Sequence, residues 1–176
     1  MQVIKRIEIN KPIDEVWKVW AEEFDKAGVW MAQVNHTIQK STGTKLEEAP
    51  MIGRVCNFTP NPDGAKAIED IVLYDDVNYR LNLEIVPENV PIPLERNIFK
   101  SSLKKLADNK TELVVEANIE LKWKGYFLYP IIKNGFNKSY GELLEELKYF
   151  IEEGDVHPRK QRKNKTAQKE VLHLHN

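Results

Sequence analysis

The 176-residue chain has few of the features that mark secreted or membrane proteins. It contains one cysteine, Cys56, so no intramolecular disulfide can form. No apolar run approaches the roughly 20 residues that cross a bilayer. The opening segment MQVIKRIEIN is charged and alternating, unlike the apolar core of a secretion signal. We therefore expect a cytoplasmic protein without a transmembrane segment.

The chain also lacks an excess of either charge. Its 26 basic and 27 acidic residues leave a formal net charge of −1, which provides no general attraction to DNA or to an anionic membrane. Of its residues, 41% are hydrophobic and 30% are charged, as in ordinary globular proteins. This composition and length predict one domain with a substantial core.

Motifs for catalysis or cofactor binding are absent as well. The sequence has no nucleophile elbow, no glycine-rich phosphate loop, no paired-cysteine motif and no His-Glu metal signature. His173 and His175 provide two imidazoles without a third ligand, which is weak evidence for a metal site. The sequence therefore predicts neither a cofactor nor a bound metal.

What the chain does contain is an ordered series of hydrophobic patterns. Val3, Ile7 and Ile9 predict a first strand. A helix that buries Trp17 and Trp20 follows Pro12, and a short helical turn follows over residues 25–31. About six alternating strands come next, and a long amphipathic helix over residues 126–154 comes last.

Alternation assigns faces to most of the strands. The turn at residues 61–64 predicts a hairpin, and the last strand places every second residue from Leu113 to Trp123 inside, including Ala117. In residues 67–75 both parities carry apolar residues, so alternation leaves the face of this strand open. These patterns predict an α+β fold of order β-α-α-β6-α, in which a curved antiparallel sheet of about seven strands wraps around the long C-terminal helix.

The final 22 residues differ in composition from the rest of the chain. Six basic residues lie between Arg159 and Lys169 without an apolar face, which predicts a disordered basic tail over 155–176 after a domain over 1–154. We expect the tail not to pack on the domain. The alternative is a weak electrostatic contact of residues 159–169 with RNA or an acidic protein.

Three segments of the chain resemble a known family. IEINKPIDEVWKVWAEEFD, AIEDIVLYDDVNYRLNLEI and YGELLEELKYFIEEG are similar to the polyketide cyclase/dehydrase group of the START-like, helix-grip (SRPBCC) superfamily. The resemblance spans residues 1–153. It implies a cavity between the sheet and the long helix, but no catalytic motif, because the superfamily shares a cavity rather than a chemistry.

The leading expectation is therefore binding of a hydrophobic or aromatic small molecule, lipid- or polyketide-like, in that cavity. Its wall is expected to include Trp30, Val34, His36, Phe58, Leu83, Phe99, Tyr129, Ile132, Phe136 and Tyr140. An enzymatic alternative is a cyclase or dehydratase, for which His36, Glu69 and Tyr140 are the candidate proton-transfer groups. A third alternative is an adaptor with a collapsed cavity, whose basic tail contacts its partner.

Overall fold

Seven strands form one antiparallel sheet in the computed structural model, which describes the backbone of residues 1–173 and the side chains of residues 1–166. Their spatial order is β1-β7-β6-β5-β4-β3-β2. The strands are β1 (Gln2–Ile9), β2 (His36–Gln39), β3 (Gly53–Asn57), β4 (Lys66–Asp75), β5 (Arg80–Glu88), β6 (Leu94–Ala107) and β7 (Lys110–Leu121). The predicted seven-stranded sheet is confirmed.

The core lies on one face of this sheet. In β7, Leu113, Val115, Ala117 and Ile119 are almost fully buried, whereas the residues between them are more exposed, as a half-buried strand requires. Trp123 does not continue this face as predicted. It begins a 3₁₀ segment (Trp123–Leu128) after the strand, and 70% of its surface is exposed.

A β-bulge explains why alternation left the face of residues 67–75 open. The pairing of β4 with β5 shifts register between Ile71 and Leu73, which changes the side-chain parity at that point. Before the bulge, Ala67, Glu69 and Ile71 are buried and Val72 is exposed. Glu69 therefore lies on the inner face of the sheet.

Short helical segments cover one end of the sheet. They are α1 (Ile13–Trp17), a π-helical turn (Lys18–Glu22), a 3₁₀ turn (Phe24–Lys26) and α2 (Ala27–Trp30). Trp17 and Trp20 are buried, as predicted. The indole Nε1 of Trp20 donates to Ser101 Oγ at 2.9 Å, which connects this layer to β6.

The long helix, α3 (Tyr129–Glu153), crosses the inner face of the sheet and completes the predicted helix-grip architecture. It begins three residues later than the pattern predicted, and Pro130 lies in its first turn, where the missing N–H breaks no intrahelical hydrogen bond. Leu144 and Leu147 are buried against the sheet. Gly154 ends the helix with a left-handed φ of 71°.

The prediction of a disordered tail is wrong for Pro158–His173, because these residues form a further helix, α4. Arg159 Nε donates to Glu146 Oε1 at 2.7 Å, and the buried Lys160 Nζ donates to the carbonyl oxygen of Val34 at 2.6 Å. A helix usually packs on a domain through an apolar face, which this segment lacks. Hydrogen bonds from its charged side chains hold α4 against the domain instead. The side chains of Lys169 and His173 and all of His175 lie outside the described part.

Candidate functional site

A cavity of about 720 Å³ lies between the inner face of the sheet and the N-terminal half of α3. Residues of β3, β4, β5 and β6 form its floor, and the segments before and after α2 contribute one side wall. Most of its lining side chains are apolar. A cavity of this size and lining is typical of small-molecule sites in proteins.

Seven of the ten predicted wall residues line this cavity. They come from α2, from the residue after β3, from β5 and β6, and from α3, so residues far apart in the sequence meet here. They are Trp30, Phe58, Leu83, Phe99, Ile132, Phe136 and Tyr140. Phe99 and Tyr140 have ring centroids 5.6 Å apart, and Phe136 stacks on Tyr140 at 6.0 Å.

Val34, His36 and Tyr129 are not among the lining residues. Val34 is buried, but its carbonyl oxygen accepts from Lys160 in the contact between α4 and the segment before β2. His36 begins β2 at the edge of the sheet, and its Nδ1 lies 3.1 Å from Asn35 Oδ1. Tyr129 lies at the first residue of α3, beside Lys133. His36 is thereby removed from the candidate proton-transfer groups inside the cavity.

A buried ion pair lies in the cavity wall. Arg54 Nε donates to Glu69 Oε2 at 2.7 Å, and the two residues are 6% and 8% exposed. Arg54 also donates to the carbonyl oxygen of Phe24, and its guanidinium carbon lies 3.7 Å from the centre of the Phe24 ring. This second set of contacts holds the guanidinium against the wall, so the pair forms a fixed polar surface in an apolar cavity.

The sheet register aligns this pair with a second polar group. Arg54 lies opposite Glu69, Glu69 opposite Ile85, and Ile85 opposite Asn97, so these four residues form one row across β3 to β6 on the same face. Asn97 Nδ2 donates to the hydroxyl oxygen of Tyr140 at 2.7 Å. Burial, and after it the charge of Glu69, raises the pKa of the Tyr140 hydroxyl, so this group stays protonated at neutral pH.

Sequence reasoning missed Arg54 and Asn97 as site residues. The signal that could have identified them is parity, because Arg54 shares its strand face with Cys56 and Asn97 shares its face with Phe99. Cys56 itself is buried, and burial raises the pKa of its thiol, so it packs as a small hydrophobic residue rather than serving as a nucleophile.

Several exposed apolar side chains line the edge of the cavity or lie next to it in the chain. Ile92 in the β5–β6 loop, Leu128 and Ile131 line the rim and are 40%, 47% and 71% exposed. Next to them in the chain, Tyr126 and Phe127 are 64% and 81% exposed. The Lys122 amide donates to the Pro93 carbonyl oxygen at 2.9 Å, which holds the 3₁₀ segment against the β5–β6 loop. We call Ile92, Tyr126, Phe127, Leu128 and Ile131 the rim patch.

Solved structures with the same architecture are numerous, and their sequences are distant. A START superfamily protein from Mycobacterium smegmatis superposes with a TM-score of 0.69 at 13% identity, covering 86% of this chain and 97% of the other. The chain has the helix-grip fold. The predicted resemblance to the START-like superfamily is thus confirmed at the level of the fold.

Two further structures share this fold. CalU16 from Micromonospora echinospora gives a TM-score of 0.56 at 19% identity, covering 94% of this chain and 82% of the other. A Thalictrum norcoclaurine synthase variant gives 0.61 at 10% identity, covering 88% and 95%. No family model matches the chain, and no curated protein has a significantly similar sequence. In the described part of the chain, no helix is long and apolar enough to cross a bilayer.

Proposed function

We propose that this protein binds a hydrophobic or aromatic small molecule in the cavity between its sheet and α3. The observation that carries the proposal is the cavity itself, with a volume of about 720 Å³ and a mostly apolar lining. Burial of apolar ligand surface contributes about 25 cal/mol per Å², so such a wall favours binding without any charged contact. The rim patch places further apolar surface where a ligand would enter.

A lipid- or polyketide-like ligand is the finer form of this proposal. Long-chain and polycyclic molecules have the apolar surface that the wall of aromatic and aliphatic side chains would cover. A cytoplasmic location belongs to the same proposal, and the single buried thiol of Cys56 is compatible with a reducing compartment.

A second candidate function, a cyclase or dehydratase, rests on Glu69 and Tyr140, which both line the cavity. The protonated Tyr140 hydroxyl would serve as a hydrogen-bond donor rather than as a base, because its pKa is raised. Glu69 would have to leave the ion pair with Arg54 before it could accept a proton. Binding without chemistry is therefore the function that we favour.

The adaptor alternative has less support. It requires a packed interior, which does not agree with the open cavity, and it requires a free basic tail, whereas Arg159 and Lys160 make hydrogen bonds within the chain. No comparison supports contact with RNA or an acidic protein.

Dye binding tests the proposal with a matched pair of substitutions. Nile red, an apolar fluorescent dye, should bind the protein saturably with a Kd near the micromolar range. Ala67 and Ala117 are both buried strand alanines, 5% and 0% exposed, but Ala67 lines the cavity, whereas Ala117 faces the interior as predicted without lining it. Ala67→Trp should abolish dye binding at little cost in stability, because the ring enters open volume.

Ala117→Trp is the control, and overpacking there should destabilise the fold by about 1–3 kcal/mol. Absence of dye binding by the parent protein would contradict the proposal.

In a separate experiment, native mass spectrometry of protein purified from its own host would identify any co-purified ligand. Release of that molecule with an unchanged mass after incubation would separate binding from catalysis.

A further inference from the structure

Charge in the cavity lining is balanced within the protein. The lining contains three charged residues among those described: Arg54, Glu69 and Arg96. Arg54 and Glu69 neutralise each other at 2.7 Å, and Arg96 lies half-exposed at the rim, paired with Glu120 at 2.9 Å and Glu84 at 3.4 Å. No cation in this described lining is left to compensate an anionic ligand.

Hydrogen-bonding capacity is not balanced in the same way. Asn97 is buried and makes one side-chain hydrogen bond, to Tyr140, while its Oδ1 has no partner within the described part of the chain. A carboxamide has two donor hydrogens and an acceptor oxygen, and a hydroxyl is both donor and acceptor. One hydrogen bond between the two side chains therefore leaves at least one donor and one acceptor without a partner in the pair, whichever way the amide is turned.

From these two observations we infer that the ligand is an uncharged molecule that carries a hydroxyl group, bound by Asn97 and Tyr140. The inference rests on the proposed binding function and names the ligand class for the same cavity. A hydroxyl group donates to one member of the pair and accepts from the other, so it satisfies both.

The same geometry disfavours two related ligand classes. A carboxylate or phosphate would be desolvated beside an ion pair that is already neutral, which is costly for an unpaired charge. With the amide oriented as in the structure, where Nδ2 donates to Tyr140, an ether or ketone can accept a hydrogen bond but cannot donate one, so Asn97 Oδ1 would stay unsatisfied. Molecules that share one apolar skeleton should therefore differ in affinity according to their polar group, and the neutral hydroxyl compound should bind most tightly.

Isothermal titration calorimetry with four naphthalene probes tests this preference. 2-Naphthol should bind about tenfold more tightly than 2-methoxynaphthalene and naphthalene, the value expected for buried hydrogen bonds. 2-Naphthoate should bind more weakly than 2-naphthol by at least the same factor. The ring system is the same in all four, so the differences report the polar group.

Two substitutions locate the preference. Asn97→Leu and Tyr140→Phe should each reduce the advantage of 2-naphthol over 2-methoxynaphthalene to about twofold or less, because each removes one member of the pair. Thr111→Val is the control, because it also removes a buried hydrogen-bonding group, but one that does not line the cavity. Thr111 Oγ1 donates to the carbonyl oxygen of Lys11 at 2.8 Å. This variant should keep the full preference.

The outcomes separate this inference from the proposed function. Equal affinities for 2-naphthol and 2-methoxynaphthalene, equal or tighter binding of 2-naphthoate, or no binding of any naphthalene while Nile red still binds would overturn the hydroxyl assignment. Each of these would leave the binding function in place. If Nile red does not bind either, the proposed function fails and the inference fails with it.

Discussion

Glu146 shows how one side chain joins three parts of the molecule. It lies on α3 and is 2% exposed, although its position in the sequence resembles that of any solvent-facing helix glutamate. Its Oε2 accepts from the backbone N–H of Ala32 at 2.8 Å, and its Oε1 accepts from Arg159 at 2.7 Å. The carboxylate therefore connects α3 to the segment after α2 and to α4.

Replacement of Glu146 by alanine should destabilise the protein strongly. The change leaves the Ala32 N–H buried without a partner and removes a buried charge partner of Arg159, for which losses of about 3–5 kcal/mol are typical. Urea denaturation would measure the change in the free energy of unfolding. Glu145→Ala is the control, because Glu145 contacts the same arginine but its side chain is 60% exposed, and it should cost less than about 1 kcal/mol. Similar losses in the two variants would contradict the connecting role.

Among the elements, α3 combines two functions along its length. Its N-terminal half, with Ile132, Phe136 and Tyr140, covers the cavity, whereas Leu144 and Leu147 in its C-terminal half pack against the sheet. Lys148 Nζ donates to the carbonyl oxygen of Glu8 at 2.8 Å, which places this second half beside β1. A single apolar stripe on α3 therefore forms one wall of the cavity and also packs the helix against the sheet.

Leu147→Ala should cost about 2–5 kcal/mol through loss of burial and formation of a cavity, because Leu147 is fully buried. The matched control is Ile131→Ala on the same helix, where the isoleucine is 71% exposed in the rim patch and its loss should change stability by less than about 0.5 kcal/mol. Chemical denaturation of both variants checks the difference. A loss below half a kcal/mol for Leu147→Ala would show that the stripe is not in the core.

At the scale of the whole molecule, α4 decides how far the folded unit extends. The sequence places a domain boundary at residue 154, and this boundary stays a prediction. The hydrogen bonds from Arg159 to Glu146 and from Lys160 to Val34 argue that folding extends beyond it. Burial, followed by the charge of Lys163, lowers the pKa of Lys160, whereas Glu146 opposes this shift.

Truncation after Gly154 should lower the Tm by on the order of 5 °C, because it removes at least two charged hydrogen bonds in a chain of this size. The double substitution Arg159→Ala and Lys160→Ala should reproduce most of that decrease. Arg162→Ala with Lys165→Ala, which changes two exposed residues of the same helix, should leave the Tm unchanged. A truncated protein whose Tm stays within one degree would instead support a complete domain over 1–154.

The sequence alone determined the architecture, because strand alternation and helical periodicity are local properties. The buried residues of β7, Trp17 and Trp20, and the stripe of α3 were all readable from their spacing. Seven of the ten predicted wall residues line the cavity for the same reason, since residues of inward parity on the sheet face the apolar stripes of the helices that pack on it.

Only the tertiary structure decided where polar groups are buried. The face of Glu69 depended on the bulge between Ile71 and Leu73, the row with Asn97 depended on strand register, and the docking of Arg159 depended on Glu146 more than ten residues away. A polar side chain carries no periodic signal of burial, because it is buried only when a distant partner compensates the loss of water. The polar groups in the cavity wall and the contacts of α4 therefore came from the structure, whereas the fold and most of the apolar wall came from the sequence.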